Sequence, residues 1–439
     1  MKIQIDHIAK IEGHASFVAD IINGDVKKAR LEIDEGARLI ESILIGRHYE
    51  EAPTITSRIC GVCPVVHNLT SIRAIEMALN IKIDSQTILL RRLMMAGQLI
   101  NSHCAHLFFF SLGDFFGIAN DLELIKKYPE MTKNVLRLRD FGNKLIEVIG
   151  GRTIHPLTPT IGGFRKLPKI ENLKALLKDC EKILNSTIEI VEFFVKLDYP
   201  KFNHSAIHAS LSSTKDYAIY DGEIKINNKT QKKEEFIKHI REFQLADSAI
   251  KSTKIYVSNK NGGDEKTYMV GALARMNNNH KRSNQTAQKI LKHSKIKLPC
   301  KNPFYNIFAQ AIELIHCIEE AQKILKIILK NGLKEKFFLR YTQDKLSSNN
   351  KIDNEARAGK GFAITEAPRG ILYHYYEIDE RGLLKNVNII TPTAQNLSRL
   401  EDDFMEFLPE IKNLPPKEQK EKIKMLVRAY DPCLTCATH

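Results

Sequence analysis

The sequence predicts a mainly α-helical fold with small β elements, an α+β protein with a central bundle of long helices and an N-terminal β-hairpin. Long stretches with apolar residues at helical spacing support the helices. Alternating apolar and polar positions over 17–33, on either side of Asn23-Gly24, support the hairpin. A hydrophobic content of 43% in 439 residues is enough to bury a large core.

The first predicted helices follow one another, over 65–79 and then over 87–110. The second stretch is apolar on nearly all sides, so we expect it at the centre of the bundle, with Asp84 or Ser85 as its N-cap. Further helices are expected at about 134–149, 171–197, 304–330 and 417–429.

The whole chain, 1–439, is predicted to form one domain that carries a peripheral elaboration. The middle of the chain, about 203–300, is more polar and mixes short strand signals with loops, so we expect a peripheral elaboration there. Residues 345–361 are expected to form a loop. Beyond it, 362–379 and 383–393 are predicted as strands flanking a turn.

The formal net charge of +14 raises the question of a polyanionic partner. The lysines are spread along the chain without a dense basic block or an aromatic RNA-binding motif, which favours a solvated surface. A basic face for an acidic partner or an anionic nucleotide subunit is the alternative. No run reaches the ~18 apolar residues of a membrane helix, and the N-terminus lacks a signal-peptide core. We therefore expect a cytoplasmic chain with neither a membrane span nor a nucleic-acid partner.

Eight cysteines stand in a chain expected in a reducing compartment, so they do not predict disulfides. Three of them lie in apolar helical stretches and are expected to behave as small hydrophobes, namely Cys104, Cys180 and Cys317. Four others form two C-x-x-C pairs, in "RICGVCPVVH" at 58–67 and "DPCLTCATH" at 431–439. Two such pairs supply four sulfurs, enough to hold one metal site.

The sulfurs alone leave the kind of site open. A structural Zn(Cys)4 site and a [4Fe–4S] cluster are both consistent with two C-x-x-C pairs. The pairs stand at opposite ends of the chain, far beyond the ~15–20 residues of a zinc ribbon. Polar and ionisable groups occur in "KIEGH" (10–14) and "TEAPRG" (365–370). Such neighbours favour a catalytic centre that moves protons and holds anionic ligands.

These motifs together resemble the large subunit of a nickel–iron hydrogenase, and the resemblance extends from the first residues to the last. "IDHIAKIEGH" (5–14), "GGRTIHP" (150–156) and "GGFRKLP" (162–168) are similar to the α subunit of cytoplasmic sulfhydrogenases and other bidirectional, NAD(P)-linked hydrogenases. The resemblance implies the hydrogenase large-subunit fold and reversible heterolytic cleavage of dihydrogen. Electrons would pass to iron–sulfur clusters of a small subunit and on to a soluble acceptor such as NAD(P).

By match with the family, the four thiolates of Cys60, Cys63, Cys433 and Cys436 hold nickel. Cys60 and Cys433 would be terminal ligands, while Cys63 and Cys436 would also bridge to an iron that carries carbon monoxide and two cyanides. Soft thiolates suit both metals. The resemblance implies no iron–sulfur cluster in this chain.

Two ionisable residues take catalytic roles by the same match. Glu12 would receive the proton of dihydrogen from the terminal thiolate of Cys433, a task that a buried carboxylate can perform. Arg369 would place its guanidinium over the open metal position. The alternative for Glu12 is a surface or capping glutamate, and the alternative for Arg369 is a structural ion pair.

Other residues would support the metals. Pro368 would fix the approach of Arg369, Thr393 would hydrogen-bond a cyanide, and His67 would hydrogen-bond a bridging sulfur. Asp431 is expected as a turn residue near Arg369 rather than a ligand. Ser102 stands where many membrane-bound hydrogenases have an aspartate, so uptake-type bias or oxygen tolerance does not transfer.

A second metal site is implied at the end of the chain. Glu41, the backbone carbonyl near Ile389 and His439 match the ligands of a magnesium or iron ion, and oxygen ligands suit magnesium. His155 matches a histidine facing the electron-transfer partner, with a satisfied core histidine as the alternative.

The implied partners are the iron–sulfur small subunit, a flavin/NAD(P)-reductase module and nickel-insertion proteins. A maturation endopeptidase is also implied, and we expect the gene to encode residues beyond His439 that it removes. Two rival classes are a noncatalytic scaffold, as in related complex I subunits, and a zinc-stabilised structural protein. The presence of all four cysteines argues against the scaffold.

Overall fold

Long helices form the centre of the protein, and the predicted α+β class is confirmed. The structure is a computed structural model that describes residues 2–23, 25–244, 250–257, 263–294, 296–334 and 358–439. In this part of the chain the helices are α1 (Ile40–Leu44), α2 (Ala52–Thr56), α3 (Pro64–Ala78), α4 (Ser85–Cys104), α5 (Asp121–Lys127), α6 (Pro129–Gly150), α7 (Ile170–Val195), α8 (Lys233–His239), α9 (Ala272–Asn279), α10 (Gln285–His293), α11 (Tyr305–Asn331), α12 (Pro392–Ile411), α13 (Pro416–Ala429) and α14 (Leu434–Ala437).

Helix α4 is the central element, as its apolar sequence predicts. It packs against α6 and α11, and α11 also packs against α7. Every residue of α4 from Leu93 to Ile100 is buried. Asp84 caps its start, because the Asp84 carboxylate accepts the Thr87 N–H at 2.9 Å. The α-helix ends at Cys104 and continues as a π-helical turn over Ala105–Ser111, so the predicted single helix to 110 changes geometry in its last part.

The strands form small sheets, mostly antiparallel. They are β1 (Lys2–Ile5), β2 (Ala15–Ile22), β3 (Asp25–Ile33), β4 (Pro159–Thr160), β5 (Gly163–Phe164), β6 (Ile207–Ser212), β7 (Glu223–Ile226), β8 (Lys229–Gln231), β9 (Ile240–Gln244), β10 (Lys251–Val257), β11 (Asp264–Lys266), β12 (Tyr268–Met269), β13 (Gly359–Ala367), β14 (Gly370–Ile378) and β15 (Leu384–Ile390). The predicted N-terminal hairpin is β2–β3, and β1 adds a third strand to it.

Two contacts between elements position the candidate site. The sheet β13–β14–β15 packs on α3, the helix that follows the first cysteine pair. Its first hairpin has a two-residue turn, Pro368-Arg369, between the paired residues Ala367 and Gly370. Helix α14, which contains Cys436 and has Cys433 as its N-cap, packs against α12. The last segment of the chain also reaches this hairpin turn, because Arg369 Nε donates to the Asp431 carbonyl.

The structure corrects the prediction for 383–393. Strand β15 ends at Ile390, and Pro392 begins α12, a helix that the sequence reasoning did not include. Proline is well tolerated in the first turn of a helix, but after an apolar run it looks like the end of a strand. Pro409 near the end of α12 weakened the helical pattern further. The helices predicted at about 134–149, 171–197, 304–330 and 417–429 are confirmed as α6, α7, α11 and α13.

The polar middle segment contributes strands, helices and buried residues. Within 203–300 the described residues form β6 to β12 and α8 to α10, and Tyr268 and Arg275 are fully buried. Of the loop expected at 345–361, residues 345–357 lie outside the described residues, and β13 begins at Gly359. Among the helices described, none combines the length and apolar character that a membrane crossing needs.

Candidate metal centre

Four buried cysteine sulfurs meet where the two ends of the chain converge. Cys60 and Cys63 lie in the short segment before α3, with Cys63 at the helix N-cap, and Cys433 precedes α14, which contains Cys436. The Sγ atoms lie 3.5 Å apart between Cys60 and Cys433, 3.4 Å between Cys63 and Cys436, and 2.8 Å between Cys433 and Cys436. All four lie within 4.8 Å of one another. The predicted convergence of the two pairs is therefore present in the structure.

This donor set fits a thiophilic metal. Hydrogen bonding from Cys433 lowers the pKa of the Cys60 thiol well below its usual value, whereas burial raises the pKa of Cys436 well above it. Four buried sulfurs this close cannot all ionise without a compensating cation, because each thiolate raises the pKa of the others. A soft divalent ion that bonds each sulfur at about 2.3 Å would supply that charge. Within the described residues, no other group of three or more histidine, cysteine or acidic side chains has ligand geometry.

The N-terminal segment docks onto the second cysteine pair through its backbone. Glu12 and Cys433 form an isolated parallel bridge, and the Leu434 N–H donates to the Glu12 carbonyl at 2.9 Å. Gly13 has φ +90, and a Cβ there would lie 2.8 Å from the Leu434 Cβ. Only glycine suits both the conformation and the close approach. The glycine of "IEGH" thus lets the first and last segments of the chain pack together.

Arg38 links the two cysteine loops, and the sequence reasoning missed it. Its guanidinium donates to the carbonyl of Ile59 at 2.6 Å and to the carbonyl of Thr435, the residues that precede Cys60 and Cys436. Its backbone N–H donates to the Thr438 carbonyl at 2.7 Å. Because all of these acceptors are backbone carbonyls, no residue pattern in the sequence could have pointed to them.

The Glu12 carboxylate contacts the second cysteine pair directly. The Cys433 thiol lies 3.0 Å from Oε2, the Thr435 hydroxyl donates to Oε1 at 2.5 Å, and the Thr435 N–H donates to Oε2 at 3.2 Å. Burial, and then the negative charge of Cys433, raise the pKa of Glu12 to about 7. A carboxyl group with this pKa and this contact can accept and release a proton near neutral pH.

Arg369 occupies the hairpin turn after Pro368, and its side chain is buried. Its Nε donates to the Asp431 carbonyl at 2.7 Å, and its Nη2 lies 3.0 Å from Asp431 Oδ1. Although burial opposes the charge, Asp431 and then the cysteine thiolates raise the pKa of the guanidinium well above its usual value. Its Nη1 is buried and has no partner among the described residues, so one donor is free for a ligand.

Two further side chains predicted at the site lie beside the second pair. The Thr393 hydroxyl oxygen accepts the Cys433 N–H at 2.9 Å, and its own O–H can donate to a further partner. His67 Nε2 lies 3.8 Å from the Cys436 sulfur, and its Nδ1 lies 3.2 Å from His374 Nε2. Burial lowers the pKa of His67 to about 3, so the ring is neutral. His374 was not predicted from the sequence, although it shares the inward face of β14 with Tyr376.

The residues matched to a second metal site also come together. His439 Nε2 lies 2.8 Å from the Ile389 carbonyl oxygen and 4.0 Å from Glu41 Oε1. Two ligands about 2.1 Å from one magnesium ion are at most about 4.2 Å apart, so the spacing fits a shared ion. Glu41 Oε1 also accepts the Ile389 N–H at 2.8 Å, and Lys251 lies 2.9 Å from Oε2. Lys251 already neutralises part of this carboxylate.

The structure places the last predicted residues at the edges of the centre. His155 is partly exposed, and its Nδ1 lies 2.8 Å from the Ser57 carbonyl, just before the first cysteine pair. Asp431 accepts from Gln310 Nε2 at 2.9 Å and pairs with Arg369, so it acts through the arginine. Ser102 is buried, and its hydroxyl has no partner among the described residues.

The fold and this centre define a class of protein in which four cysteines from distant parts of the chain form one candidate metal site. The sequence profile of the nickel-dependent hydrogenases matches residues 38–139 and 201–439. The chain belongs to the nickel-dependent hydrogenase family, as the resemblance predicts. It is an oxidoreductase of the large-subunit type, and the family implies nickel and iron.

Relatives and solved structures match over the whole chain. The chain is 33% identical to the sulfhydrogenase 2 subunit alpha of Pyrococcus furiosus, covering 100% of this chain and 99% of that one. It is 26% identical to the NAD-reducing hydrogenase HoxS subunit beta of Cupriavidus necator, covering 100% and 94%. The structure of an NAD+-reducing [NiFe]-hydrogenase in the H2-reduced state aligns with a TM-score of 0.84 at 25% identity, covering 100% and 99%. A [NiFeSe]-hydrogenase of Dm. baculatum shares the fold, with a TM-score of 0.75 at 21% identity and 100% of both chains covered.

Proposed function

We propose that this chain is the dihydrogen-cleaving subunit of a cytoplasmic complex that works reversibly with a soluble acceptor such as NAD(P). The observation that carries the proposal is the cluster of four buried sulfurs with the Glu12 carboxylate 3.0 Å from Cys433. The electrons would leave through iron–sulfur clusters of a small subunit and a flavin/NAD(P)-reductase module. A relative named as NAD-reducing supports this choice of acceptor.

The four cysteines would hold nickel, and Cys63 and Cys436 would share an iron that carries carbon monoxide and two cyanides. The proximity of all four sulfurs, within 4.8 Å of one another, supports one shared metal centre. When bound, this group supplies the heterolytic cleavage of dihydrogen. Glu41, the Ile389 carbonyl and His439 would hold a magnesium or iron ion that pins the end of the chain beside Cys436.

Glu12 would carry the proton away from the centre. The Cys433 sulfur, once protonated, donates to Glu12 Oε2, and the Thr435 hydroxyl keeps the carboxylate in place through Oε1. Glu12 is only partly buried, so the proton passes from the enclosed sulfur to a group near solvent. The partial exposure therefore matches the direction of proton release.

Arg369 would hold the anionic ligands of the metals through its free Nη1, with Pro368 fixing the turn that presents it. Thr393 would donate its O–H to a cyanide, and the neutral His67 ring would donate its N–H to the Cys436 sulfur. His155, on the surface beside the first pair, would face the small subunit. The whole chain would act as one domain with 203–300 as an elaboration.

The test of the acceptor is hydrogen-dependent reduction by the purified native complex. We expect dihydrogen to reduce both an artificial viologen dye and NAD(P)+, because the dye reports the centre itself and NAD(P)+ reports the full electron path. Dye reduction without NAD(P)+ reduction would contradict the proposed acceptor and leave the catalytic centre standing. Absence of both reactions in a complex with full nickel content would contradict the proposed function.

A further inference from the structure

Arg275 lies beneath the hairpin turn that carries Arg369, although it belongs to the polar middle segment. It is fully buried in α9. Its Nη1 donates to the Ala367 carbonyl at 2.9 Å, and its Nη2 donates to the Pro368 carbonyl at 2.9 Å. These are the two carbonyls that immediately precede Arg369. The guanidinium therefore holds the backbone on the incoming side of the turn.

The Arg275 guanidinium is itself fixed by two buried carboxylates. Its Nε and Nη2 donate to the two oxygens of Glu313 at 2.6 and 2.7 Å, and its Nη1 donates to Glu366 Oε2 at 2.9 Å. Glu313 in turn accepts from the Tyr217 hydroxyl at 2.8 Å and lies 2.8 Å from His103 Nε2. A planar guanidinium with this many short contacts has one orientation, unlike a lysine ammonium.

The outgoing side of the turn is held by packing. Gly370 has φ +130, and a Cβ there would lie 2.7 Å from the Gly271 N and 2.4 Å from a methyl carbon of Val270. The segment before α9 thus presses against the turn just after Arg369. Hydrogen bonds on one side and this contact on the other leave the Arg369 backbone one position.

We infer that Arg275 is a positioning residue for the reaction: it fixes the Ala367–Gly370 turn and thereby sets the position of the Arg369 guanidinium relative to the four sulfurs. The inference rests on the proposed role of Arg369. Arg369 reaches Asp431 with its Nε and Nη2, so a shift of its backbone would turn the free Nη1 away from its present direction. Arg275 itself touches neither sulfur nor substrate.

The test compares Arg275→Lys with Arg91→Lys in the purified complex. Arg91 is a matched control, because it is also fully buried, binds both oxygens of Glu76 and donates to a backbone carbonyl, that of Thr160. A lysine at 275 keeps the charge but has one nitrogen for two carboxylates and two carbonyls. Nickel and iron content, hydrogen-dependent turnover and amide hydrogen exchange of peptides over 366–372 are measured in both variants.

We expect Arg275→Lys to keep its metals, to lose turnover about tenfold or more, and to exchange the 366–372 amides about tenfold faster. Arg91→Lys should keep turnover and exchange in this peptide within about threefold of the wild type. Wild-type turnover and exchange in Arg275→Lys would overturn the inference. Equal losses in the two variants would also overturn it, since they would reflect lost stability alone.

Two further variants keep the result unambiguous. If Arg275→Lys does not assemble, Glu313→Gln loosens the same guanidinium while keeping its shape, and it should show the same pattern at smaller amplitude; wild-type behaviour would reject the inference. Arg369→Lys tests the underlying proposal. Full turnover in Arg369→Lys would refute the role of Arg369, whereas the exchange of the 366–372 peptide still reports whether Arg275 holds the turn.

Discussion

The Cys433 sulfur lies 3.0 Å from Glu12 Oε2, although the two residues stand at opposite ends of the sequence. The backbone bridge between the same residues fixes this contact, since the Leu434 N–H donates to the Glu12 carbonyl. The carboxylate and the thiol are thus held together by an isolated backbone bridge between the first and last segments of the chain. The proposed proton route therefore depends on this backbone contact.

Glu12→Gln tests this proton route. Glutamine keeps the shape and the hydrogen-bonding ability of the side chain, but it cannot carry a proton onward. We expect the metal content to be unchanged. Turnover and the exchange of dihydrogen with deuterium from the solvent should both fall by about two orders of magnitude or more, within the range for general acid–base groups. Glu35→Gln is the control, because Glu35 accepts the His14 N–H at 2.9 Å and touches no sulfur. Wild-type exchange rates in Glu12→Gln would assign Glu12 a structural role.

Cys433→Ala tests the assignment of the sulfurs. Removal of this thiolate should abolish nickel retention and hydrogen-dependent dye reduction. Cys180→Ala is the control, since Cys180 is buried in α7 away from the centre and its truncation should cost only about 1 kcal/mol of stability. Full dye reduction by Cys433→Ala would show that the sulfur is not needed.

Arg38→Met tests the link between the two cysteine loops. The methionine keeps much of the side-chain volume but donates nothing to the Ile59 and Thr435 carbonyls. We expect a loss of about 1–3 kcal/mol in the free energy of unfolding and a several-fold faster loss of nickel to a chelator. Arg47→Met, at an exposed Arg47–Glu51 pair, should change neither. Equal nickel retention in both variants would show that Arg38 does not stabilise the metal site.

The burial of Glu401 makes the free energy of unfolding depend on pH. Burial, and then the charge of Asp402, raise the pKa of Glu401 to about 7 from an ordinary value of 4.5. The folded state therefore binds the proton more tightly than the unfolded state, so stability falls as the pH rises between these values. Glu401→Gln should remove a penalty on the order of 1–3 kcal/mol at pH 8 and change little at pH 4.

Thermal unfolding at pH 4 and pH 8 measures the contribution of Glu401 to stability. Glu410→Gln, on the exposed side of the same helix, is the control. The Glu401→Gln variant should gain in unfolding temperature relative to the wild type only at the higher pH. No gain at pH 8 would show that folding does not raise the pKa of Glu401, and an equal gain at pH 4 would show that the effect of glutamine is independent of the charge.

The four cysteines of the centre could be predicted from the sequence, but most of the residues that position them could not. Cys60, Cys63, Cys433 and Cys436 were predicted to meet because spacing and chemistry are visible in the residues themselves. Arg38 and Arg275 were missed, because many of their partners are backbone carbonyls that only the tertiary structure brings near. The guanidinium of Arg275 lies in a segment whose polar composition suggested a peripheral addition, and its burial follows from two carboxylates distant in sequence.

Helices with a long periodic pattern could be predicted from the sequence, whereas elements without a clear local signal could not. The long helices α4, α7 and α11 were predictable because their apolar residues recur at helical spacing over many turns. Helix α12 was not, because Pro392 follows a buried strand directly and helix propensity gave no clear start. The π-helical turn over Ala105–Ser111 has no sequence signature that distinguishes it from the α-helix before it.

The most direct test of the central claim is the metal content and infrared spectrum of the purified native complex. We expect one nickel and one associated iron per chain at the four-cysteine centre, with absorption bands of one carbon monoxide and two cyanides that disappear in Cys433→Ala. Zinc bound by the four cysteines, without nickel and without these bands, would contradict the central claim.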